Sequence, residues 1–137
     1  MMNSGRQNAL RAYGAVGAHS QTVNADPHRL TLLLLNNVLE RIAAIKGHLQ
    51  RGEIAEKCVQ VDKLSLVITE LADTLNMEKG GEVAQMLKRT YEVSLMQLTQ
   101  AHAGNAPEGF EQIAVTFREL KGAWEAIAPQ QAMAVGQ

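Results

Sequence analysis

The sequence predicts an all-α fold, an antiparallel up-down-up-down four-helix bundle with an N-terminal arm. Of its 137 residues, 46% are hydrophobic but only 4% are aromatic, so aliphatic side chains and methionine must fill the core, which favours helices over sheets. Apolar residues recur at three- and four-residue steps in four segments of the chain. Proline or glycine separates these segments, as expected where helices begin and end.

The first two helices follow from their start and stop signals. The first is expected to begin at Asp26-Pro27, because aspartate is a favourable N-cap and proline fits the first helical position, and to end near Arg51-Gly52. The second has a heptad pattern and is expected to end at Gly80-Gly81. Its seam, the row of core-facing heptad positions, is predicted to be Ile54, Cys58, Val61, Ser65, Ile68, Ala72 and Leu75.

The third helix is expected over 82–101, and the fourth begins at Pro107 and ends before Pro129. The fourth has a strictly alternating seam, which is Phe110, Ile113, Phe117, Leu120, Trp124 and Ile127. Because the connections are short, neighbouring helices must run antiparallel. We therefore expect an N-terminal arm at 1–26, the bundle at 27–128 and a disordered tail at 129–137.

The composition argues against nucleic-acid and membrane partners. A net charge of −1 provides no electropositive surface for nucleic acid or for an anionic membrane. The longest apolar run, 32–35, is far shorter than the roughly 20 residues that span a bilayer, so no membrane insertion is expected. The polar N-terminus lacks the apolar segment of a signal peptide, and a single cysteine excludes an internal disulfide. The expected location is cytoplasmic.

No residue pattern indicates a catalytic, metal or cofactor site. The four histidines lack the spacing of metal ligands, and all four are expected on the surface. Cys58 falls on the second seam and is interpreted as a buried structural thiol, while Lys57 is expected to point elsewhere. The arginines fall mainly between the seams, which argues against the alternative of a small all-α enzyme with an arginine-lined anion pocket.

Apolar residues beyond the seams indicate a binding function. Leu66 and Val67 in the second helix, and Met86 and Val93 in the third, exceed what one seam requires. A hydrophobic groove for a partner helix explains them, and the alternative is a wide core-facing stripe on a helix with two neighbours.

The N-terminal arm repeats this pattern on a small scale. Leu10, Tyr13 and Val16 are spaced three residues apart in a segment that is otherwise polar or small. A short amphipathic helix against the bundle explains the spacing, and a frayed terminus explains it equally well.

Several segments, taken in order, resemble one known family. They are Ala12-Tyr13 with Val16, Asp26-Pro27-His28-Arg29-Leu30, Gly52-Glu53, Val67-Ile68-Thr69-Glu70-Leu71, Leu75-Asn76, Glu78-Lys79-Gly80-Gly81-Glu82, Leu87 with Tyr91, and Leu120-Lys121, Ala123-Trp124 and Ile127. In this order and spacing they resemble the flagellin-specific export chaperone family (FliS), and the resemblance covers residues 10–127.

The resemblance implies a cytosolic chaperone that is not an enzyme. Such a chaperone binds the disordered C-terminal segment of flagellin, prevents premature polymerisation and delivers the subunit to the flagellar type III export gate. Family members let the client wrap around the bundle beside the N-terminal arm, which adds Leu10, Tyr13 and, less directly, Val16 to the expected binding residues. The remaining alternative is a structural or regulatory bundle that self-associates, for example as a weak homodimer, through the same apolar surplus.

Overall fold

The computed structural model describes residues 26–127 and shows four helices, named α1 to α4 in chain order. Their bounds are Pro27–Gln50, Ile54–Asp73, Met77–Gly104 and Pro107–Ala126. Helices account for 90% of this range, which contains no extended strand. The predicted all-α class is therefore confirmed.

Helix α1 begins and ends where its local signals predicted. A side-chain oxygen of Asp26 accepts a hydrogen bond from the backbone N–H of Arg29 at 2.7 Å, and Pro27 occupies the first turn. At the other end Arg51 donates its N–H to the carbonyl of Gly47, and Gly52 takes a positive φ of 70° that turns the chain into α2.

Helix α2 ends at Asp73, earlier than the expected stop at Gly80-Gly81. The reason is a competing N-cap: the side chain of Asn76 accepts a hydrogen bond from the N–H of Lys79 at 2.9 Å and starts α3 at Met77. Gly81 then interrupts α3 with φ 54° and ψ −133°, a conformation available almost only to glycine. The glycine pair thus kinks α3 near its start instead of ending α2.

The four helices form a closed ring in which α1 packs on α2 and α4, and α3 packs on the same two. Lys46 near the end of α1 contacts Glu111 near the start of α4 at 2.6 Å, so these two helices run antiparallel. Likewise Lys57 near the start of α2 contacts His102 near the end of α3. The up-down-up-down arrangement is confirmed.

The core consists of aliphatic and aromatic side chains from all four helices. Those at most 1% exposed are Leu34, Leu35, Val38, Ile42, Ile45, Leu64, Val67, Ile68, Leu71, Ala84, Phe110, Ile113 and Phe117. Trp124 is also buried, as its seam position predicted. No methionine belongs to the core cluster within the described range.

The predicted seam of α2 is partly wrong. Ile54 is 46% exposed and Cys58 is only partly buried, whereas Leu64 and Leu71, placed outside the seam, are fully buried. Because α2 packs against both α1 and α3, it buries a wide stripe whose centre lies beside the heptad positions.

Lys57 belongs to this buried stripe, contrary to expectation. It is 1% exposed, and its ammonium donates hydrogen bonds to the carbonyl of His102 at 2.9 Å and to Oδ1 of Asn105 at 2.5 Å. Asn105 ends α3 in the left-handed conformation, with φ 47°. The cation thus lies at the negative end of the α3 dipole and fixes the corner between α3 and α4.

Candidate functional site

The large apolar side chains that remain exposed are concentrated on two helices. Within 26–127 they are Ile54, Val59 and Leu66 on α2, Met77, Val83, Met86, Val93 and Met96 on α3, and Val115 on α4. Single exposed apolar residues are ordinary, but a row along one face of a helix marks a binding surface.

The α3 stripe consists of Val83, Met86, Val93 and Met96, which are 44% to 64% exposed. Met86 and Val93 are seven residues apart and therefore lie on the same face of the helix. Thr90 lies between them, and its hydroxyl donates to the carbonyl of Met86 at 2.9 Å. Arg89, three residues after Met86, also lies between them and is exposed, so this face presents apolar side chains with a cation among them.

The α2 stripe consists of Val59 and Leu66, also seven residues apart and 50% and 40% exposed. Leu66 follows Lys57 by nine residues, which at about 100° per residue places it on the opposite side of α2. Since Lys57 reaches the end of α3, the α2 stripe faces away from α3.

The α3 stripe runs from the side of α3 that borders α4 to the outward side. Met86 lies about 60° around the helix from Ala101, which packs directly against Gly109 of α4. The two stripes therefore occupy different sides of the ring and do not form one groove. A partner that covers both must pass around the bundle.

The predicted binding residues separate into three groups. Leu66, Met86 and Val93 lie on the surface, in the two stripes. Val67 instead lies in the core at 0% exposure, because the step of about 100° from Leu66 turns it inward, so it cannot contact a partner in this conformation. The residues assigned in the arm, Leu10, Tyr13 and Val16, lie outside the described residues.

A depression lies between α1 and α4, away from both stripes. Its volume is about 480 Å³, and its lining is Leu39, Ile42, Ala43, Lys46, Gly47, Gln50, Glu111, Ala114 and Arg118. Glu111 accepts from Lys46 at 2.6 Å through one carboxylate oxygen and from Arg118 at 3.0 Å through the other. Hydrogen bonds from Arg118 and Lys46 lower the pKa of Glu111 to about 2.

This charged cluster could not be found from the sequence, since Lys46 and Glu111 are 65 positions apart and no local spacing joins them. Val83 was also missed as a stripe residue, although its place three residues before Met86 was a usable signal.

The family follows from comparison with known sequences. The sequence model described as Flagellar protein FliS matches residues 9–131, nearly the whole chain. This chain belongs to the FliS family. The match confirms the resemblance inferred from the sequence, and its range includes Leu10, Tyr13 and Val16.

Relatives of this FliS-family chain cover it almost fully. The flagellar secretion chaperone FliS of Vibrio cholerae is 34% identical over 89% of this chain and 90% of its own length. The flagellar secretion chaperone FliSB of Pseudomonas aeruginosa is 33% identical over 88% of this chain and 95% of its own. The flagellar secretion chaperone FliS of Salmonella typhimurium is 26% identical over 88% and 90%.

The histidines of this FliS-family chain are less exposed than expected. His28, His48 and His102 are all partly buried, and His19 lies outside the described range. His28 stacks on Trp124, and His48 Nδ1 lies 2.8 Å from Glu53. Between residues 26 and 127, no three His, Cys, Asp or Glu side chains come together as metal ligands. In the same range no helix is both long and apolar enough to span a bilayer.

Proposed function

We propose that this protein is a flagellar secretion chaperone that binds the C-terminal segment of flagellin in the cytoplasm. It keeps the bound segment from polymerising and delivers the subunit to the flagellar type III export gate. Membership of the FliS family and its relatives, which are flagellar secretion chaperones by name, support this proposal. The structural observation that carries it is the pair of apolar stripes on different sides of the ring.

The stripes favour a helical client. Within 26–127 the bundle has no sheet edge to which a strand could be added, so a bound segment must satisfy its own backbone hydrogen bonds. A helix does so, and an amphipathic helix also presents an apolar row that matches a helical stripe. We therefore expect the flagellin segment to become helical on the α3 stripe and, through a second part, on the α2 stripe.

Two thermodynamic properties follow from the character of this surface. Burial of apolar area makes the heat-capacity change of binding negative. Charged side chains lie between the apolar residues on both helices, Arg89 on α3 and Asp62 and Lys63 on α2, but their charges largely cancel, so affinity should change only modestly with salt. Helix formation in the bound flagellin segment can be followed by circular dichroism. A helical signal of the complex that exceeds the sum of the signals of free protein and free peptide reports coupled folding and binding.

The decisive experiment is calorimetric titration of a flagellin C-terminal peptide into the full chain and into two matched variants. Val93→Glu puts a carboxylate into the α3 stripe, and Val115→Glu puts the same charge on α4 outside both stripes. Both valines are 44% exposed, so the two substitutions disturb folding similarly. We expect Val93→Glu to weaken binding tenfold or more, about 1.4 kcal/mol, and Val115→Glu to leave it unchanged.

Self-association of the same stripes is the competing function. Sedimentation of the chain alone over a hundredfold concentration range tests it. A monomer that binds the peptide supports the chaperone. A dimer that Val93→Glu dissociates, together with no peptide binding at high micromolar concentration, supports the self-associating bundle.

A further inference from the structure

The methionines of the described range have an unusual placement. Met77, Met86 and Met96 all lie on α3, at 40%, 57% and 64% exposure, while the core is built without methionine. Methionine is ordinarily among the more buried residue types. Its flexible, polarisable thioether adapts to irregular partners, which accounts for its frequent use on binding surfaces.

Met86 and Met96 belong to the α3 stripe, whereas Met77 lies before the Gly81 kink. Met86 and Met96 are the two most exposed large apolar side chains of the described residues. Their sulfur atoms are therefore open to dissolved oxidants in the free protein, and a client helix lying on the stripe would cover them.

We infer that Met86 and Met96 are an oxidation site that controls client binding. Hydrogen peroxide transfers one oxygen atom to the thioether sulfur. Its O–O bond breaks and an S–O bond forms, the sulfur loses two electrons, and the second peroxide oxygen leaves as water. The product, methionine sulfoxide, is returned to the thioether by sulfoxide reductases. The inference rests on the proposed function, because it assigns regulation to the same stripe.

Oxidation at these positions separates binding from folding. In the free chain a sulfoxide at Met86 or Met96 points into water, and no core contact is lost. Under a client helix the same polar oxygen would lose its water without gaining a hydrogen-bond donor from an apolar face, which disfavours the complex. The oxidised chaperone therefore stays folded and releases its client.

The test measures affinity for a labelled flagellin C-terminal peptide by fluorescence anisotropy before and after peroxide treatment. Every protein carries Cys58→Ser, so thiol oxidation cannot contribute, and catalase removes peroxide before the peptide is added. Peptide mapping by mass spectrometry quantifies sulfoxide at each methionine. We expect treatment to weaken binding tenfold or more with an unchanged circular dichroism spectrum, and sulfoxide reductase to restore it.

Leucine variants locate the effect. Each variant is compared with its own untreated form. The double variant Met86→Leu with Met96→Leu should lose no affinity on peroxide treatment, whatever its starting affinity, while Met77→Leu should lose affinity as the parent does. Unchanged affinity when Met86 and Met96 are fully converted overturns the inference, as does an equal loss in the double variant. Binding by the untreated protein reports separately on the proposed function, and its absence would overturn both.

Discussion

His28 in the first helix and Trp124 in the last helix are joined by reciprocal hydrogen bonds. The indole N–H of Trp124 donates to the carbonyl of His28 at 3.0 Å, and His28 Nε2 lies 2.9 Å from the carbonyl of Trp124. The two rings stack with centroids 5.7 Å apart and an interplanar angle of 14°. This pair joins the first turn of α1 to the last turn of α4.

Trp124→Phe should lower the free energy of unfolding by about 1 kcal/mol, because it keeps an aromatic ring but removes the indole N–H. Urea unfolding followed by far-ultraviolet circular dichroism measures the change, since the variant has no tryptophan fluorescence. Glu125→Gln, at the exposed neighbouring position, is the control and should stay within about 0.5 kcal/mol of the parent. An equal effect of both substitutions would show that the pair contributes no stability.

Leu66 and Val67 are adjacent in sequence but should respond oppositely to truncation. Val67→Ala removes buried methyl groups and should destabilise the fold by about 1–3 kcal/mol with little direct effect on client affinity. Leu66→Ala should change stability by no more than about 0.5 kcal/mol and weaken client binding. Urea midpoints and peptide titrations on both variants test these two predictions. The reverse outcome would show that Val67, not Leu66, belongs to the α2 stripe.

Two glycines of α4 should respond with opposite signs to alanine. At Gly122 an added Cβ meets no atom within 4 Å, so Gly122→Ala should stabilise the helix by about 0.5–1 kcal/mol. At Gly109 the added Cβ would lie 2.7 Å from the Cβ of Ala101, so Gly109→Ala should destabilise by about 1–3 kcal/mol. Thermal unfolding compares them directly. A stabilising Gly109→Ala would mean that α3 and α4 separate without cost.

The Lys46–Glu111–Arg118 cluster should give stability a dependence on acid. Its two cations lower the pKa of Glu111 in the folded state from an ordinary 4.5 to about 2. The stabilisation is therefore present above pH 4.5 and is lost as the pH falls towards 2. Urea midpoints of the parent and Glu111→Gln should converge across this window. In a background where both Lys46 and Arg118 are replaced by methionine, adding Glu111→Gln should no longer produce a pH-dependent difference in the urea midpoint. If the difference persists there, the acid dependence comes from other groups.

Local signals in the sequence sufficed for the fold, but not for every boundary. Asp26 and Pro27 determine the start of α1 without help from the rest of the chain, so that boundary was predictable. The end of α2 depends on a choice between Asn76 as a cap and Gly81 as a break, and the sequence offers both. Gly81 by itself does not distinguish the two, because a kinked helix and a helix end have the same local signature.

The candidate site was predictable only for residues whose exposure follows from the apolar spacing of their own helix. The core-facing residues of α3 recur at regular three- and four-residue steps, and Met86 and Val93 fall outside that series. Val67 could not be separated from Leu66 in this way, because the direction in which α2 buries its stripe is set by two neighbouring helices. The same limit applies to Lys57, whose partners His102 and Asn105 come from another helix.

The order of packing around the ring has a kinetic consequence. Three of the four helix interfaces, α1 with α2, α2 with α3 and α3 with α4, join consecutive helices, and only α1 with α4 brings distant parts of the chain together. Such a topology has a low contact order, and folding rates rise as contact order falls. Helical hairpins can therefore form early, with the meeting of His28 and Trp124 as the late, loop-closing event. A chain with this topology reaches its native state quickly after synthesis.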